Sequence, residues 1–482
     1  MDRQSIAARL RALLGDGAVL TAPEDFARYR ADSAMRAADG IACVVRPADT
    51  AEVARVVVAC RDAGMPVVPR GGGTGYAGGS LPLPGQHAVV LSLERLRRIR
   101  AVDPVGNVLV AEAGCTLHEV REAAAGAGRT VGLDHGGAGT SMIGGNLATN
   151  AGGNNVVRYG MAREQVLGVE AVLADGTVLG LPAALPKCNA GYDLRHLILG
   201  SEGTLAVITA AALRMRPEAI GRETAILGLA APEQAIALFV RARGALGEAI
   251  SAFELMGRAG LDLHFAHTGA AREPFAERLP WYVLLECEST SRHFDLRAAF
   301  EELLAQALDQ GVVRAGAIAT SAAQRRAMWS LREGIVHAMG AASYHIVKTD
   351  TAVPVVRVPE FIERVAADCA ARVPGCVPVA FGHIGDGNIH LNVLPPAGGG
   401  DAALRAAAGD MARAIEDIAV GLGGTVSAEH GIGQTKRAAL ARMRPARELD
   451  LMRAIKRAFD PQGVLNPGKI LGAPAVGDHD HA

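Results

Sequence analysis

The chain has 482 residues, 50% of them hydrophobic but only 4% aromatic, with 21% charged and a formal net charge of -1. That length predicts two or three domains with ample burial, and the even spread of charge, with no basic tract, argues against nucleic-acid and anionic-membrane partners. No uninterrupted apolar run reaches the roughly 18 residues of a membrane span. Seven Cys at irregular spacing, without CxxC pairs, point to reduced thiols. The first ten residues read as a charged amphipathic helix and not as a secretory signal, so a soluble, cytoplasmic protein is expected.

In chain order, 41–46 reads as a strand, 51–63 as a helix and 66–69 as a strand, a βαβ spacing that predicts a parallel pair. Next comes Arg70-Gly71-Gly72-Gly73-Thr74-Gly75-Tyr76-Ala77-Gly78-Gly79-Ser80. A Rossmann fingerprint would open a helix here, but Leu81-Pro82-Leu83-Pro84 cannot continue one. Successive backbone N–H groups of such a loop still suit a phosphate as a nest. A second glycine-rich run, 134–154, mixes Gly with Thr, Ser and Asn and suits a long polar cofactor lying against backbone. Strands at 166–173 and 178–181 flank a turn, and 199–209 is a Gly-punctuated turn into a strand.

The texture changes after Pro217. Strands at 249–255 and 281–286 and helices at 233–246 and 291–310 predict a separate α+β domain on an antiparallel sheet. Helices at 402–422 and 445–459 follow, then Leu465-Asn466-Pro467-Gly468-Lys469. The Asp478-His479-Asp480-His481 tail reads as a disordered terminus, not a metal site. Expected domains are 1–217, 218–420 and 421–482.

The chemistry concentrates in Gly382-His383-Ile384-Gly385-Asp386-Gly387-Asn388-Ile389-His390-Leu391-Asn392. Asp386-Gly387 is a strong two-residue hairpin signal. A turn centred there makes His383 and His390 direct cross-strand partners, with Cβ atoms roughly 5 Å apart. Glu429, in Ser427-Ala428-Glu429-His430-Gly431, is a third candidate ligand. Two imidazoles and a carboxylate suit zinc, iron or manganese with positions left open for substrate. Each residue alone is more often an ordinary surface or hydrogen-bonded group; the combination points to a metal-assisted redox site.

Taken in order, these motifs resemble the FAD-linked oxidases of the vanillyl-alcohol oxidase and p-cresol methylhydroxylase superfamily, over about residues 35–472. Within it the chain resembles the D-2-hydroxy acid dehydrogenase branch, whose members oxidise D-2-hydroxyglutarate, D-lactate or glycolate. The resemblance implies an α+β fold: a two-subdomain FAD-binding domain, a cap domain with an antiparallel sheet, and a C-terminal segment returning to the flavin. It implies that Pro69, Arg70, Gly71, Gly72, Gly73, Thr74 and Gly75 cradle the FAD pyrophosphate. Thr140, Gly144, Gly145, Asn150 and Gly152 would line the flavin, Glu202, Gly203 and Ile208 the adenine end, and Asn466 would return to the flavin. The first glycine loop has no His for covalent attachment, so non-covalent FAD is expected, with attachment elsewhere left open.

By the same resemblance His383, His390 and Glu429 bind a divalent metal, zinc first, with manganese or iron as alternatives, and His430 is the general base. Arg332 would pair with a substrate carboxylate, Lys348 with a distal one, and Asn392 with the substrate or a metal-bound group. Trp329 is expected to start a helix and 347–354 to form a strand. Lys348 favours the dicarboxylate D-2-hydroxyglutarate. D-lactate or glycolate, a flavin subunit of a larger complex, and an oxygen-using oxidase remain alternatives. An external acceptor such as electron-transfer flavoprotein and a homodimer are inherited from the same resemblance.

Overall fold

The computed structural model describes residues 3–34, 38–180, 184–269, 272–343, 345–398 and 400–472. Leu181 of the expected 178–181 strand and the Asp478–His481 tail lie outside these residues. The chain divides into two compact units: Met1–Gly152 with Met161–Pro217 and Glu429–Ala482, and Gly153–Gly160 with Glu218–Ala428.

The first unit holds two main sheets. One has four strands in the order Val19–Leu20, Ile41–Val45, Ala88–Ser92, Val67–Arg70. The expected parallel pair is thus split: Ile41–Val45 and Val67–Arg70 each run parallel to Ala88–Ser92, which lies between them. Helix Thr50–Asp62 starts because the Asp49 side chain accepts from the Glu52 N–H. It buries Val53, Val56, Val57 and Cys60, the i, i+3, i+4, i+7 stripe of an amphipathic helix. Each fully buried valine of that stripe contributes about 1.5–3 kcal/mol. Neighbouring parallel strands ordinarily need a helical crossover. Between Val67–Arg70 and Ala88–Ser92 the crossover is instead the glycine loop, 71–87, which contains no helix.

Residues 464–466 close the outer edge of this sheet: the Val67 N–H donates to Val464 O at 2.9 Å and Asn466 N–H to Val67 O at 2.8 Å. The other sheet is antiparallel, in the order Ile99–Asp103, Val108–Glu112, Val207–Arg214, Val166–Val172, Val178–Leu179. Its core packs against helices Leu117–Ala125 and Ile143–Ala148 through Leu117, Val120, Ile143 and Leu147.

The second unit is built on seven antiparallel strands in the order Ala315–Ile318, Gly221–Leu229, Trp281–Ser289, Ile250–Gly257, Val377–Gly382, Asn388–Leu394, Thr351–Ala352. Helices cover both faces. Leu238, Phe300, Phe361 and Ile415 belong to one core with Phe253, Leu255, Ala380, Ile389, Leu391 and Val393. Leu261, Leu331, Ile335 and Met339 belong to the other with Met256, Val379 and Phe381. Because strand side chains alternate, Glu254 falls on the Met256 face, and His390 and Asn392 on the face opposite Ile389 and Leu391.

Two expected elements differ. Helix Ala322–Ala342 begins well before Trp329, because the Ser321 side chain caps Gln324 N–H at 3.2 Å while Gln324 Oε1 accepts from Thr320 N–H at 2.7 Å. The expected 347–354 strand shrinks to Thr351–Ala352 and an isolated bridge between Val347 and Val393.

Candidate active site

In the first unit two glycine-rich loops meet. A Cβ on Gly72 would lie 2.1 Å from Thr140 O, one on Gly71 3.4 Å from Gly145 N, and one on Gly144 2.7 Å from Ala113 Cβ. These glycines therefore serve chain-against-chain packing. Gly75, Gly136 and Gly139 differ: a Cβ on any of them meets nothing within 4 Å. Arg70 is 4% exposed and donates to the carbonyls of Arg28 at 2.9 Å and Ala31 at 2.7 Å, so it tethers the loop to the chain.

Three residues expected at the cofactor, Asn150, Glu202 and Asn466, sit at φ of 51°, 52° and 40°. Non-glycine residues in this region are uncommon and strained, and they cluster at ligand sites. Each is held by side-chain bonds. Asn150 Oδ1 accepts from Arg163 N–H at 2.9 Å. The Glu202 carboxylate accepts from the N–H groups of Ile432 at 2.7 Å and Gly433 at 2.8 Å. Burial raises the Glu202 pKa against the lowering effect of those two donors. Asn466 Nδ2 donates to Gly79 O at 2.8 Å and Glu202 O at 2.7 Å.

Two polar atoms of the same C-terminal turn, Asn466 Oδ1 and Lys469 Nζ, are buried without a hydrogen-bond partner. Burial, then the neighbouring Arg437, pulls the Lys469 pKa down to about 8 against the pull of Glu202. A buried orphan acceptor and a buried orphan cation call for an explanation. With the open glycines, they fit a polar, anionic cofactor such as FAD. Pro69 packs under Gly203, where an added Cβ would lie 3.1 Å from Pro69 Cγ. Ile208 is 4% exposed within the core of the antiparallel sheet, and Thr140 is exposed. Glu429 Oε1 would lie 2.6 Å from a Cβ on Gly152. His430 stacks on Tyr76 with ring centroids 4.6 Å apart.

In the second unit the turn of the expected hairpin is longer than two residues. His390 pairs with Phe381, not with His383, which stands in the 383–387 connection. The Asp386 N–H donates to His383 O at 3.1 Å and Gly387 N–H to Ile384 O at 3.3 Å, two overlapping turns. Ile384, fully buried in the core, pulls the connection inward. Asp386 is not among the residues at positive φ, which a two-residue turn of that type requires at both positions. The histidines nonetheless meet edge to face, with ring centroids 5.7 Å apart and nitrogens within 4.8 Å.

Beneath them lies a group that the sequence reading missed. Glu254, 0% exposed, accepts from His383 Nδ1 at 2.6 Å through Oε1 and from Arg332 Nε at 2.7 Å through Oε2. Burial would raise its pKa, but the His383 imidazole and the Arg332 guanidinium outweigh it and hold the carboxyl at about 2. Glu254 is therefore the acceptor and His383 Nδ1 the donor of their bond, which makes Nε2 the ring nitrogen turned away from Glu254. Arg332, 6% exposed, also lies 4.9 Å over the Phe381 ring, whose other neighbour is His390 at 5.3 Å. Asn392 Oδ1 accepts from Thr349 N–H at 3.1 Å, next to Lys348, which is exposed. The available signal for Glu254 was a lone acid in the apolar run Ala252-Phe253-Glu254-Leu255-Met256.

Residues 220–470 match the family described as "FAD linked oxidases, C-terminal domain" and residues 41–181 the one described as "FAD binding domain". The chain is similar to "D-2-hydroxyglutarate dehydrogenase, mitochondrial" of Bos taurus, at 36% identity over 460 residues covering 94% of this chain and 81% of that protein. It is similar to the D-2-hydroxyglutarate dehydrogenase of Xanthomonas citri pv. viticola at 37% identity over 452 residues, 93% of each. A solved structure of p-cresol methylhydroxylase with substrate bound matches with a TM-score of 0.75 over 97% of both chains, at 16% identity. Among the described residues, no helix is long and apolar enough to cross a membrane.

Proposed function

Because this chain belongs to the FAD-linked oxidases, has the p-cresol methylhydroxylase-type fold and is an FAD-dependent oxidoreductase, we propose that it oxidises D-2-hydroxyglutarate to 2-oxoglutarate with the help of a divalent metal ion. The observation that carries this reading is the His383–His390 pair, nitrogens within 4.8 Å, with His383 tied through Glu254 to a buried arginine. His383, His390 and Glu429, which follows Ala428 directly in the chain, form the donor set, for Zn2+ first and Mn2+ or Fe2+ as alternatives. When bound, such an ion supplies a Lewis acid for the 2-hydroxyl and the C1 carboxylate. FAD, held non-covalently, supplies the acceptor for the hydride that leaves C2.

The chain's own groups do the rest. Gly71 to Gly75 offer backbone N–H groups to the cofactor diphosphate. Thr140, Gly144, Gly145, Asn150 and Gly152 line the flavin, and Glu202, Gly203 and Ile208 the adenine end. Asn466 Oδ1 and Lys469 Nζ offer it an acceptor and a cation. His430, its ring steadied by the stack on Tyr76, takes the proton of the 2-hydroxyl as the C2 hydride departs. Arg332 receives a substrate carboxylate and Lys348 the distal one. Asn392 fixes the backbone of Thr349 and with it the root of the Lys348 side chain. An external acceptor of the electron-transfer flavoprotein kind, a homodimer and a cytoplasmic location belong to the same reading; the bovine relative is named as mitochondrial.

Anaerobic flavin bleaching with D-2-hydroxyglutarate, L-2-hydroxyglutarate, D-lactate and glycolate, before and after chelation, tests it. Bleaching by D-2-hydroxyglutarate that a chelator abolishes and Zn2+ or Mn2+ restores is the expected result. Bleaching indifferent to chelation removes the metal from the reading. Arg332 is buried and braced whereas Lys348 is exposed, which favours, as the second reading, a monocarboxylate such as D-lactate held by Arg332 alone. Equal or faster bleaching by D-lactate would establish it.

A further inference from the structure

We propose that Glu254 is a positioning residue that couples metal binding at His383 to carboxylate binding at Arg332; the inference rests on the metal-assisted reading above. One carboxylate spans two functions. Oε1 takes the Nδ1 proton of His383 at 2.6 Å, and Oε2 takes the Nε proton of Arg332 at 2.7 Å. The first bond fixes the tautomer and rotation of the imidazole, so that Nε2 is the atom offered to an ion. A ligand histidine braced in this way by a carboxylate binds its metal more tightly. The second bond occupies Nε, which orients the planar guanidinium about that bond and leaves the two terminal nitrogens for a bidentate carboxylate. Phe381 closes the arrangement, with the Arg332 guanidinium 4.9 Å above its ring and the His390 ring 5.3 Å away.

Stability alone does not account for this group. Glu254 is 0% exposed and Arg332 6%, and an apolar set of the same shape serves a buried position as well as an ion pair does. The carboxylate also reaches from strand Ile250–Gly257 to residues 129 and 78 positions away in sequence. A single oxygen bound to each partner is what coupling requires: a shift of the carboxylate that improves one contact strains the other.

The experiment is chelator competition for Zn2+ on the full-length FAD-loaded chain. Wild type is compared with Glu254→Gln, Glu254→Asp, Arg332→Met, Glu254→Gln/Arg332→Met and His390→Ala, followed by initial rates over D-2-hydroxyglutarate at saturating Zn2+. Wild type is expected to hold one Zn2+ that His390→Ala loses. Glu254→Gln is expected to weaken Zn2+ about 10–100-fold and to raise KM at saturating Zn2+. Arg332→Met should raise KM and also shift Zn2+ affinity, because it frees the Oε2 that holds the carboxylate in place against His383; Zn2+ affinity as in wild type would overturn the coupling. The double variant should have a KM no higher than Arg332→Met, because both changes act through one guanidinium.

A merely structural Glu254 lowers flavin content and melting temperature but leaves Zn2+ affinity and KM unchanged in the folded fraction, and that result overturns the proposal. KM effects that simply multiply in the double variant overturn the link to Arg332. A wild-type chain with no Zn2+ sensitive to His390→Ala overturns the metal reading itself, a result distinct from an unchanged Glu254→Gln. Should Glu254→Gln not retain FAD, Glu254→Asp decides. It keeps the charge but withdraws the carboxylate by one methylene, so it must weaken both readouts.

Discussion

In the first unit the expected binding surface is backbone. Glycine loops leave open space at Gly75, Gly136 and Gly139, and Asn466 Oδ1 and Lys469 Nζ are left without partners. In the second unit it is side chain: Glu254, His383 and Arg332 already hold one another at 2.6–2.7 Å. The first arrangement is unfinished in polar terms and calls for a large ligand to complete it. The second is preorganised and calls only for groups that add to directions already set. A cofactor held throughout turnover suits the one, and an ion with an exchanging substrate suits the other.

The largest expected effect tests the second unit. His390→Ala should lower kcat/KM by about 10³-fold, the equivalent of several kcal/mol of lost charge stabilisation, with FAD content unchanged in the absorbance spectrum. Loss of flavin in that variant would blur the comparison. Next is a pair of glycines in the first unit. Gly72→Ala forces a Cβ to within 2.1 Å of Thr140 O and should destabilise by about 1–3 kcal/mol or more, read as a lower melting temperature. Gly75→Ala, with open space, should melt within about 0.5 kcal/mol of wild type yet bind FAD more weakly by equilibrium titration. Identical behaviour would erase the distinction between packing glycines and cradle glycines.

Lys469 sharpens the same point through pH. Its folded pKa of about 8 lies below the ordinary lysine value of about 10.4, so the unfolded chain binds more protons between those values. Stability of the apo chain therefore rises with pH across that window, and below about pH 8 the penalty of the buried ammonium is fully present. Lys469→Met should abolish this rise in thermal melts, stabilise the apo chain below pH 8 and weaken FAD binding. The smallest effect is at Lys348. Lys348→Met should raise KM for D-2-hydroxyglutarate about tenfold, the loss of one charged hydrogen bond, and leave D-lactate kinetics unchanged.

Much of the fold is legible in local signals. Helix Thr50–Asp62 lies within a residue of its expected bounds at each end, and the 166–173 strand, its turn and the strand after it form the expected hairpin. The antiparallel sheet of the second unit was legible from composition and spacing alone. What failed depended on competition between local signals and burial. Asp386-Gly387 carries a turn signature, but Ile384 is drawn into the core and lengthens the connection to five residues, 383–387. Trp329 drew attention as a helix start, although Ser321 and Gln324 carried the capping signature. Glu254 was out of reach for another reason: its partners lie 129 and 78 residues away, and no pattern within a strand announces them.

The C-terminal turn also bears on how the protein is made. Asn466 clasps Gly79 and Glu202 across 387 and 264 residues, while Val464 and Asn466 seal the edge strand that begins at Val67. During synthesis that edge stays bare until residues 464–466 have left the ribosome. An unsealed strand edge is a template for association with other chains. A nascent chain that stalls before Val464 therefore presents an aggregation-prone strand edge and lacks the Asn466 bonds to Gly79 and Glu202, so this sheet is completed only after residue 466 is made.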